Sequence, residues 1–520
     1  ADAFKHYTYD QDKVLPPEET IARVRERLGR LDLKILKETL RIDSGRLDIP
    51  IYLSLLGVDA RRVVPTQKQM GKGATPIQSE ASALMELVER FSFFSYIKER
   101  DLLFARPREL NGQVVDFAYL ARSLFDTSPE AEAAAAFYQD WPLSFAPATN
   151  LTTGRAVYLP LHWFYLIEEY NGPAAGNCLE EAILQALCEV VERHVGSVIS
   201  HGRLATPLID PDSATDPAAR ELLDKFKRNG IKVWLRDFSF DTGIPTVGAL
   251  AYDPSTFPAE SEIVFSAGTT TDPEKSLIRA LTEVAQMAGD FNRRTSYRPT
   301  LPKYEALEDA AYLMAPGPLR PLSSLPNLAH PNLKEEIGNC LKALARLNLE
   351  VFVVDVTHPE IGIPAVYVLI PGTHFLERTR NTDVVFHLAK TAALYAPPLE
   401  ALEALEKLDA AFPERFDVNF FLGLALENLG DTAAALVRHR KSLQLNPPAH
   451  EIPSIHVHLG ACYKDLEDYP GAVAALEQAV ALAPDLKEAH HQLGFCFFKL
   501  ARYQDAVHCF EKVIELDPGS

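Results

Sequence analysis

The chain has 520 residues, 47% of them hydrophobic, and a formal net charge of −19. That length predicts two or more domains with ample apolar residues for their cores, and the acidic balance argues against a nucleic-acid partner. No uninterrupted apolar run approaches the roughly 18–20 residues of a membrane span, so no membrane partner is expected.

The N-terminal stretch ADAFKHYTYDQDK is charged and has no apolar centre, which predicts a cytoplasmic protein without a signal peptide. Over residues 1–380, helical stretches rich in alanine, leucine and glutamate alternate with β-branched runs such as VWLRDF, TVGALAY, EIVFSAG, VFVVDV and AVYVLI. This predicts an α+β core with helices packed on sheets. Lys72, between Gly71 and Gly73, reads as a turn before the first long helix, where close backbone approach and a positive charge suit a phosphate. The Ser/Thr and upstream glycine of a P-loop are missing. No G-x-G-x-x-G follows a strand, and no kinase signature is present.

Residues 82–90 read SALMELVER and residues 185–193 read QALCEVVER, one frame used twice. Residues three apart share a helix face, so Glu86 pairs with Glu89, and Glu189 with Glu192. The stretch NGPAAGNCLEEAILQ enters the second frame with Asn177 and then Glu181, two turns before Glu189 and on the same side. A third helix, PEKSLIRALTEVAQM, sets Arg279, Glu283 and Gln286 at helical spacing. Taken alone, Arg279 reads as the surface partner of Glu283. The two frames admit two readings. They are solvated faces with internal ion pairs, or they are buried carboxylates, which must be paired or must hold a metal. In the second reading Mg²⁺ suits the glutamates, and the adjacent arginines suit phosphate oxygens. The segments 231–254 and 349–372 echo each other as strand, G-I-P loop and strand, so the core looks duplicated, with G-I-P as turn chemistry.

The chain changes character near residue 380. Leu459-Gly460 and Leu493-Gly494 open two copies of L-G…Y…A…L-x-P at a spacing of 34 residues, and a third copy opens at Leu422. This is the pattern of the tetratricopeptide repeat, a helix–turn–helix unit that buries its apolar face on its neighbours. The expected organisation is residues 1–380 as the α+β core, 381–416 as connecting helices, and 417–520 as about three all-α repeats. A protein partner in the repeat groove is expected, with a structural or dimerising appendage as the alternative. The six cysteines are scattered without a C-x-x-C pair and read as buried reduced thiols, giving neither a zinc site nor a disulfide framework.

GKG with SALMELVER, NGPAAGN with EAILQALCEVVER, the R-A-L-T-E-V-A-Q stretch, and the late I-P-G at 370–372 occur together in this order over roughly residues 10–380. Together they resemble the YcaO family of ATP-dependent peptide-backbone-modifying enzymes. The resemblance implies that Glu86, Glu89, Glu181, Glu189 and Glu192 hold Mg²⁺ and the ATP phosphates. It implies nucleotide contacts for Ser82, Asn177, Arg193 and Arg279, with Lys72, Glu283 and Gln286 beside them. Lys13 and Thr20 match an N-terminal lysine and hydroxyl residue of the family. The implied function is activation of a peptide amide by O-phosphorylation, after which a side-chain nucleophile gives an azoline, or sulfide gives a thioamide. Such a cyclodehydratase-type or thioamidation-type enzyme needs no covalent protein nucleophile. Azoline-forming members often end in a proline-rich tail, whereas this chain runs into repeats. That feature resembles stand-alone members, one of which is associated, as an accessory factor, with methylthiolation of a ribosomal protein. A non-catalytic ATP-binding scaffold is therefore the second reading, and structural ion pairs in an interaction scaffold are the third. A peptide or protein substrate is implied, and the resemblance also allows a homodimer.

Overall fold

The computed structural model describes residues 1–66, 68–99, 102–292, 302–375 and 382–517. The chain separates into two compact units. One comprises Ala1–Leu102, Ala146–Leu159 and Phe164–Arg380, and the other Leu103–Phe145, Pro160–Trp163 and Asn381–Ser520.

The first unit begins with helix α1 (Pro17–Gly29) and an antiparallel sheet of β1 (Leu36–Arg41), β2 (Ile51–Leu56) and β3 (Lys68–Lys72). Helix α2 (Pro76–Glu99) lies on β3 so closely that a Cβ on Gly71 would overlap the backbone of Ser79 and Ala83. Lys72 is thus the last residue of a strand, paired with Ile51, and not part of a free turn as the flanking glycines suggested. The glycines serve helix–strand contact, and that contact aims Lys72.

Strand β4 (Pro173–Ala175) leads into helix α3 (Leu179–Gly202). Ala182, Ala186, Leu187, Val190, Val191, Val195 and Ile199 of α3 are almost fully buried. Each such Leu, Ile or Val contributes about 1.5–3 kcal/mol, which is how α3 tolerates carboxylates in its middle. Strands β5 (Lys232–Asp237), β6 (Thr246–Tyr252) and β7 (Val264–Thr269) follow, antiparallel in the order β7-β6-β5. Helix α4 (Pro273–Ala288) packs on β6 and β7 and is capped by Asp272, whose Oδ1 accepts from the Glu274 N–H at 2.8 Å. Such a cap is worth about 1 kcal/mol and fixes where α4 begins.

Helix α5 (Leu333–Ala345) and strands β8 (Phe352–Asp355) and β9 (Ala365–Leu369) complete the unit, with β9 between β8 and β4. The hairpins β5–β6 and β8–β9 carry the two G-I-P loops. Gly243 and Gly362 both adopt the left-handed region there, with φ of 68° and 61°. This is the turn chemistry that the echo predicts, and it makes the core a duplicated α+β arrangement.

The second unit contains helices at Phe117–Ser123 and Pro129–Tyr138 and then a run of helices: α6 (Val384–Tyr395), α7 (Pro398–Ala411), α8 (Phe416–Asn428), α9 (Thr432–Gln444), α10 (Ile452–Asp465), α11 (Tyr469–Leu482), α12 (Lys487–Lys499) and α13 (Tyr503–Leu516). The last six form three hairpins, α8/α9, α10/α11 and α12/α13, stacked in chain order. Pro518, which closes the last repeat motif, lies outside the described residues. None of the described helices is long and apolar enough to cross a membrane.

Candidate active site

Helices α2 and α3 bring both glutamate frames to one cavity of about 1020 Å³, counting its opening to solvent. Glu86, Glu89 and Ser82 line it from α2, Glu181, Glu189 and Arg193 from α3, and Asn177 from the turn before α3. Lys13, Thr20 and Lys72 come from the N-terminal segment, α1 and β3, and Arg279, Glu283 and Gln286 from α4. Glu192 lies behind this lining, with 1% of its side chain exposed.

One corner is rigidly bonded. Asn177 Nδ2 donates to Glu181 Oε1 at 3.1 Å and lies 3.0 Å from Thr20 Oγ1. Arg23 holds the Asn177 carbonyl at 2.6 Å. The Val14 N–H donates to Glu181 Oε2 at 3.0 Å, and Lys13 Nζ stands 3.7 Å from Oε1. The N-terminal segment thus closes on the start of α3.

The opposite wall carries the charge. The Met70 N–H donates to Glu86 Oε2 at 3.1 Å, and Arg90 Nε stands 3.3 Å from Glu89 and 3.9 Å from Glu86. Arg90 also donates to the Tyr170 carbonyl. Arg193 stands 4.0 Å from Glu189 and 3.8 Å from Glu192. Arg279 donates through Nε to Glu192 Oε2 at 2.8 Å, and the Thr269 N–H donates to the same oxygen at 2.9 Å. The expected Arg279–Glu283 surface pair is therefore replaced. Arg279 turns inward to the buried Glu192, and Glu283 pairs with Lys72. A buried carboxylate without a cation is the costlier alternative, and it takes the arginine.

Burial pushes the Glu86 carboxyl up, against the nearby Arg90 and Lys72. Burial pushes Glu89 well up despite Arg90, with Glu189 and Glu86 adding to the effect. Glu192 goes the other way, because Arg279 and Arg193 outweigh its burial. Burial, then the charge of Arg279, push the Lys72 ammonium down to about 7, against the pull of Glu192. The cations that line the cavity therefore leave Glu86 and Glu89 under-compensated.

The residues fit a magnesium-carried triphosphate. Glu192 Oε1 is buried and accepts no hydrogen bond among the described residues. Glu86, Glu89 and Glu189 repel one another and crowd around the one charge of Arg90. They do not close on a single point, since no three of them bring ligand atoms within 4.8 Å of one another. That spacing suits Mg²⁺, which takes one or two carboxylates with phosphate oxygens and waters rather than an all-protein cage.

Sequence reasoning missed a second cavity of about 710 Å³, which shares Lys13, Lys72, Glu181 and Arg279 with the first. It adds Asp10, Thr269 to Thr271, Lys275 and Glu336. Asp10 accepts from the Ala74 N–H at 2.7 Å, and Lys275 bonds Asp216 at 2.7 Å and the Tyr9 carbonyl at 2.6 Å. The only sequence signal was the lysine in PEKSLIR, one turn before Arg279. Cys178 caps α3 with its sulfur 3.4 Å from the Glu181 N–H, and Cys188 is buried, so both cysteines near the frame are structural.

The family model described as YcaO cyclodehydratase, ATP- and Mg²⁺-binding, matches residues 70–374, more than half of the chain. Two tetratricopeptide models match residues 453–486 and 488–520. A relative from Escherichia coli, named ribosomal protein S12 methylthiotransferase accessory factor YcaO, is 24% identical over 403 residues, covering 68% of this chain and 67% of its own. A structure titled a heterocyclase in complex with substrate and cofactor superposes with a TM-score of 0.58 at 24% identity, covering 72% of this chain and 54% of its own. The chain thus spans about half the length of that heterocyclase. The structure of YcaO from Methanopyrus kandleri, bound with AMPPCP and Mg²⁺, superposes at 0.53 with 24% identity, covering 71% of this chain and 94% of its own.

Proposed function

The chain belongs to the YcaO family, which is ATP- and Mg²⁺-binding, and on that premise we propose that it activates a peptide-backbone amide by O-phosphorylation. The observation that carries this reading is the meeting of both E-x-x-E-R helices around one cavity, in which Glu86 and Glu89 are buried with too little counter-charge.

In this reading Glu86, Glu89, Glu181, Glu189 and, through Oε1, Glu192 hold Mg²⁺. Lys72, Arg193 and Arg279 face phosphate oxygens, and Glu192 fixes Arg279 in place. Thr20, Ser82, Asn177, Lys13, Glu283 and Gln286 complete the nucleotide pocket. ATP, when bound, supplies the phosphoryl group that turns a poor leaving group, the amide oxygen, into a good one. The protein's share is positioning and charge neutralisation, which carry most of catalysis in phosphoryl transfer. The attacking nucleophile is a side chain of the substrate, giving an azoline, or a sulfur donor, giving a thioamide. No protein nucleophile is required: the Cys178 sulfur caps α3, and burial pushes the Cys188 thiol up to about 12. The helical repeats would receive the protein that presents the peptide, as such arrays do with extended concave surfaces.

The name of the Escherichia coli relative, an accessory factor of a ribosomal-protein methylthiotransferase, supports a second reading, in which this chain binds ATP without making product itself. One experiment separates the two. The full chain is incubated with Mg²⁺-ATP and candidate peptides, with and without sulfide, and phosphate release and peptide mass are followed. Peptide-stimulated phosphate release with loss of one water, or with exchange of oxygen for sulfur, supports catalysis. ATP binding with unchanged peptide mass and no stimulated turnover supports the accessory role.

A further inference from the structure

The first junction of the helical stack contains a histidine where its neighbours place an apolar side chain. A Cβ built on Gly460 would meet Leu476, and one on Gly494 would meet Phe510. The equivalent glycine, Gly423, faces the His439 ring. That imidazole is fully buried, at 0% exposure. A polar ring in a position the array fills with leucine or phenylalanine costs stability unless its polar atoms are engaged.

Its partners are as unusual as its position. His439 Nε2 lies 2.7 Å from Glu427 Oε1, and His458 Nδ1 lies 3.1 Å from Glu427 Oε2. By the register of the repeats, Glu427 corresponds to Lys464 and Phe498, and His458 to Phe421 and Gln492. The set is therefore confined to one junction and is no feature of the repeat itself. The three ligand atoms lie within 4.8 Å of one another, the one such set of His, Cys, Asp or Glu among the described residues. Cys462 Sγ, 3.4 Å from Glu427 Oε1, is a further donor beside them.

We propose that Glu427, His439 and His458 bind a divalent transition-metal ion, Zn²⁺ by donor chemistry, which ties α8, α9 and α10 together. Two imidazoles and a carboxylate are a set that zinc accepts, with a fourth position left for the Cys462 thiolate or a water. Bonds of about 2.0–2.2 Å in a tetrahedron set neighbouring ligand atoms roughly 3.3 Å apart, so the side chains need to shift by about an ångström or less. Any proton on the coordinating nitrogens, and on the thiol if it joins, leaves to solvent as the metal enters. The cysteine spacing gave no hint of this, because the donors come from three helices and only one of them is a cysteine.

The test uses the full chain, stripped with a chelator and titrated with Zn²⁺ and separately with Co²⁺. Two variants restore residues that the next repeats themselves use, His439→Leu and His458→Gln. Each leaves the carboxylate cavity of the first unit untouched, so weak binding there is common to all three proteins and subtracts out. The wild type should bind one more equivalent of Zn²⁺ than either variant over the concentration range in which its own site fills. Co²⁺ should give the intense visible absorption of a tetrahedral site only in the wild type. Zn²⁺ should raise the melting temperature of the wild type and leave His439→Leu unmoved. Equal stoichiometry in the three proteins, or no tetrahedral Co²⁺ spectrum in the wild type, would overturn the proposal and leave a hydrogen-bonded triad. His458 is partly exposed, so His458→Gln decides the matter even if His439→Leu does not fold.

Discussion

Glu89 shows what crowding carboxylates into the cavity costs. Its carboxyl is pushed well up by burial and by Glu189 and Glu86. Removing that charge should therefore leave the ligand-free protein as stable or more so, while removing the hold on magnesium. Glu89→Gln is expected to keep or raise the melting temperature without ligand and to lose the rise with Mg²⁺-ATP. That rise should be worth about 2.7 kcal/mol in the wild type at a hundred times the dissociation constant. Differential scanning of both proteins, with and without Mg²⁺-ATP, checks it, and a ligand-induced rise retained by the variant would remove Glu89 from the site. Glu192 and Arg279 are coupled differently. Arg279→Met leaves a carboxylate with 1% exposure facing the Thr269 amide, Arg193 at 3.8 Å and the charge of Lys72. Breaking one partner of a buried pair costs about 3–5 kcal/mol, whereas Arg279→Met with Glu192→Leu together should cost clearly less. Urea midpoints of the single and double variants measure this. These residues also mark the limit of legibility. The glutamates were readable because a doubled frame at helical spacing fixes a face. The partner of Arg279 was not, because a neighbour in sequence, Glu283, competed with one 87 positions away that only the fold brings near.

At the scale of elements, what could be read was what local chemistry dictates. Helices α2 and α3, the G-I-P turns and the repeat hairpins follow from periodicity, glycine and proline. The N-terminal segment did not, because KVLPPEETIAR carries no strong pattern and its place against α3 rests on the Val14 amide and Thr20. Helix α6 carries a feature that periodicity also hides. His387 sits in it at 2% exposure against Trp163, and burial pushes its imidazole down to about 3. His162 of the same unit is pushed down to about 4. Because the folded values lie below the ordinary 6.5, the unfolded chain binds protons first. Stability from keeping these rings neutral is complete above about pH 6.5 and is lost as the pH falls toward 4 and 3. At pH 4.5 the His387 contribution alone should be down by about 2–3 kcal/mol. Melts at pH 7.5 and 4.5 should therefore show a smaller acid loss in His387→Leu than in the wild type. An equal loss in both would mean that the acid limb belongs to other groups.

At the scale of the molecule, the position of a cut matters more than the change of composition near residue 380. Helix α6 packs on the helix Pro129–Tyr138, and Arg415 bonds Asp383 at 2.7 Å and Asp417. The Val384 amide donates to Asp126 at 2.9 Å, and Arg106 pairs with Glu400 at 2.7 Å. The segment Leu103–Phe145 thus shares its core with helices that follow 381, although it lies inside the stretch that composition assigns to the catalytic core. A chain ending at residue 380 would expose that segment's apolar surface, which marks aggregation-prone proteins. A chain ending at residue 450 keeps α6 to α9 and removes only the last two hairpins. In stacked repeats stability is close to a sum over units and nearest-neighbour interfaces, so losing the outer hairpins should leave the inner ones folded. The expectation is a poorly soluble product for the first truncation and a soluble, Mg²⁺-ATP-responsive one for the second. Expression of both, followed by size-exclusion chromatography and a melt with Mg²⁺-ATP, provides the measurement. A soluble, nucleotide-responsive chain ending at 380 would show that Leu103–Phe145 does not need the helices it packs against, and that composition marked the folding boundary after all.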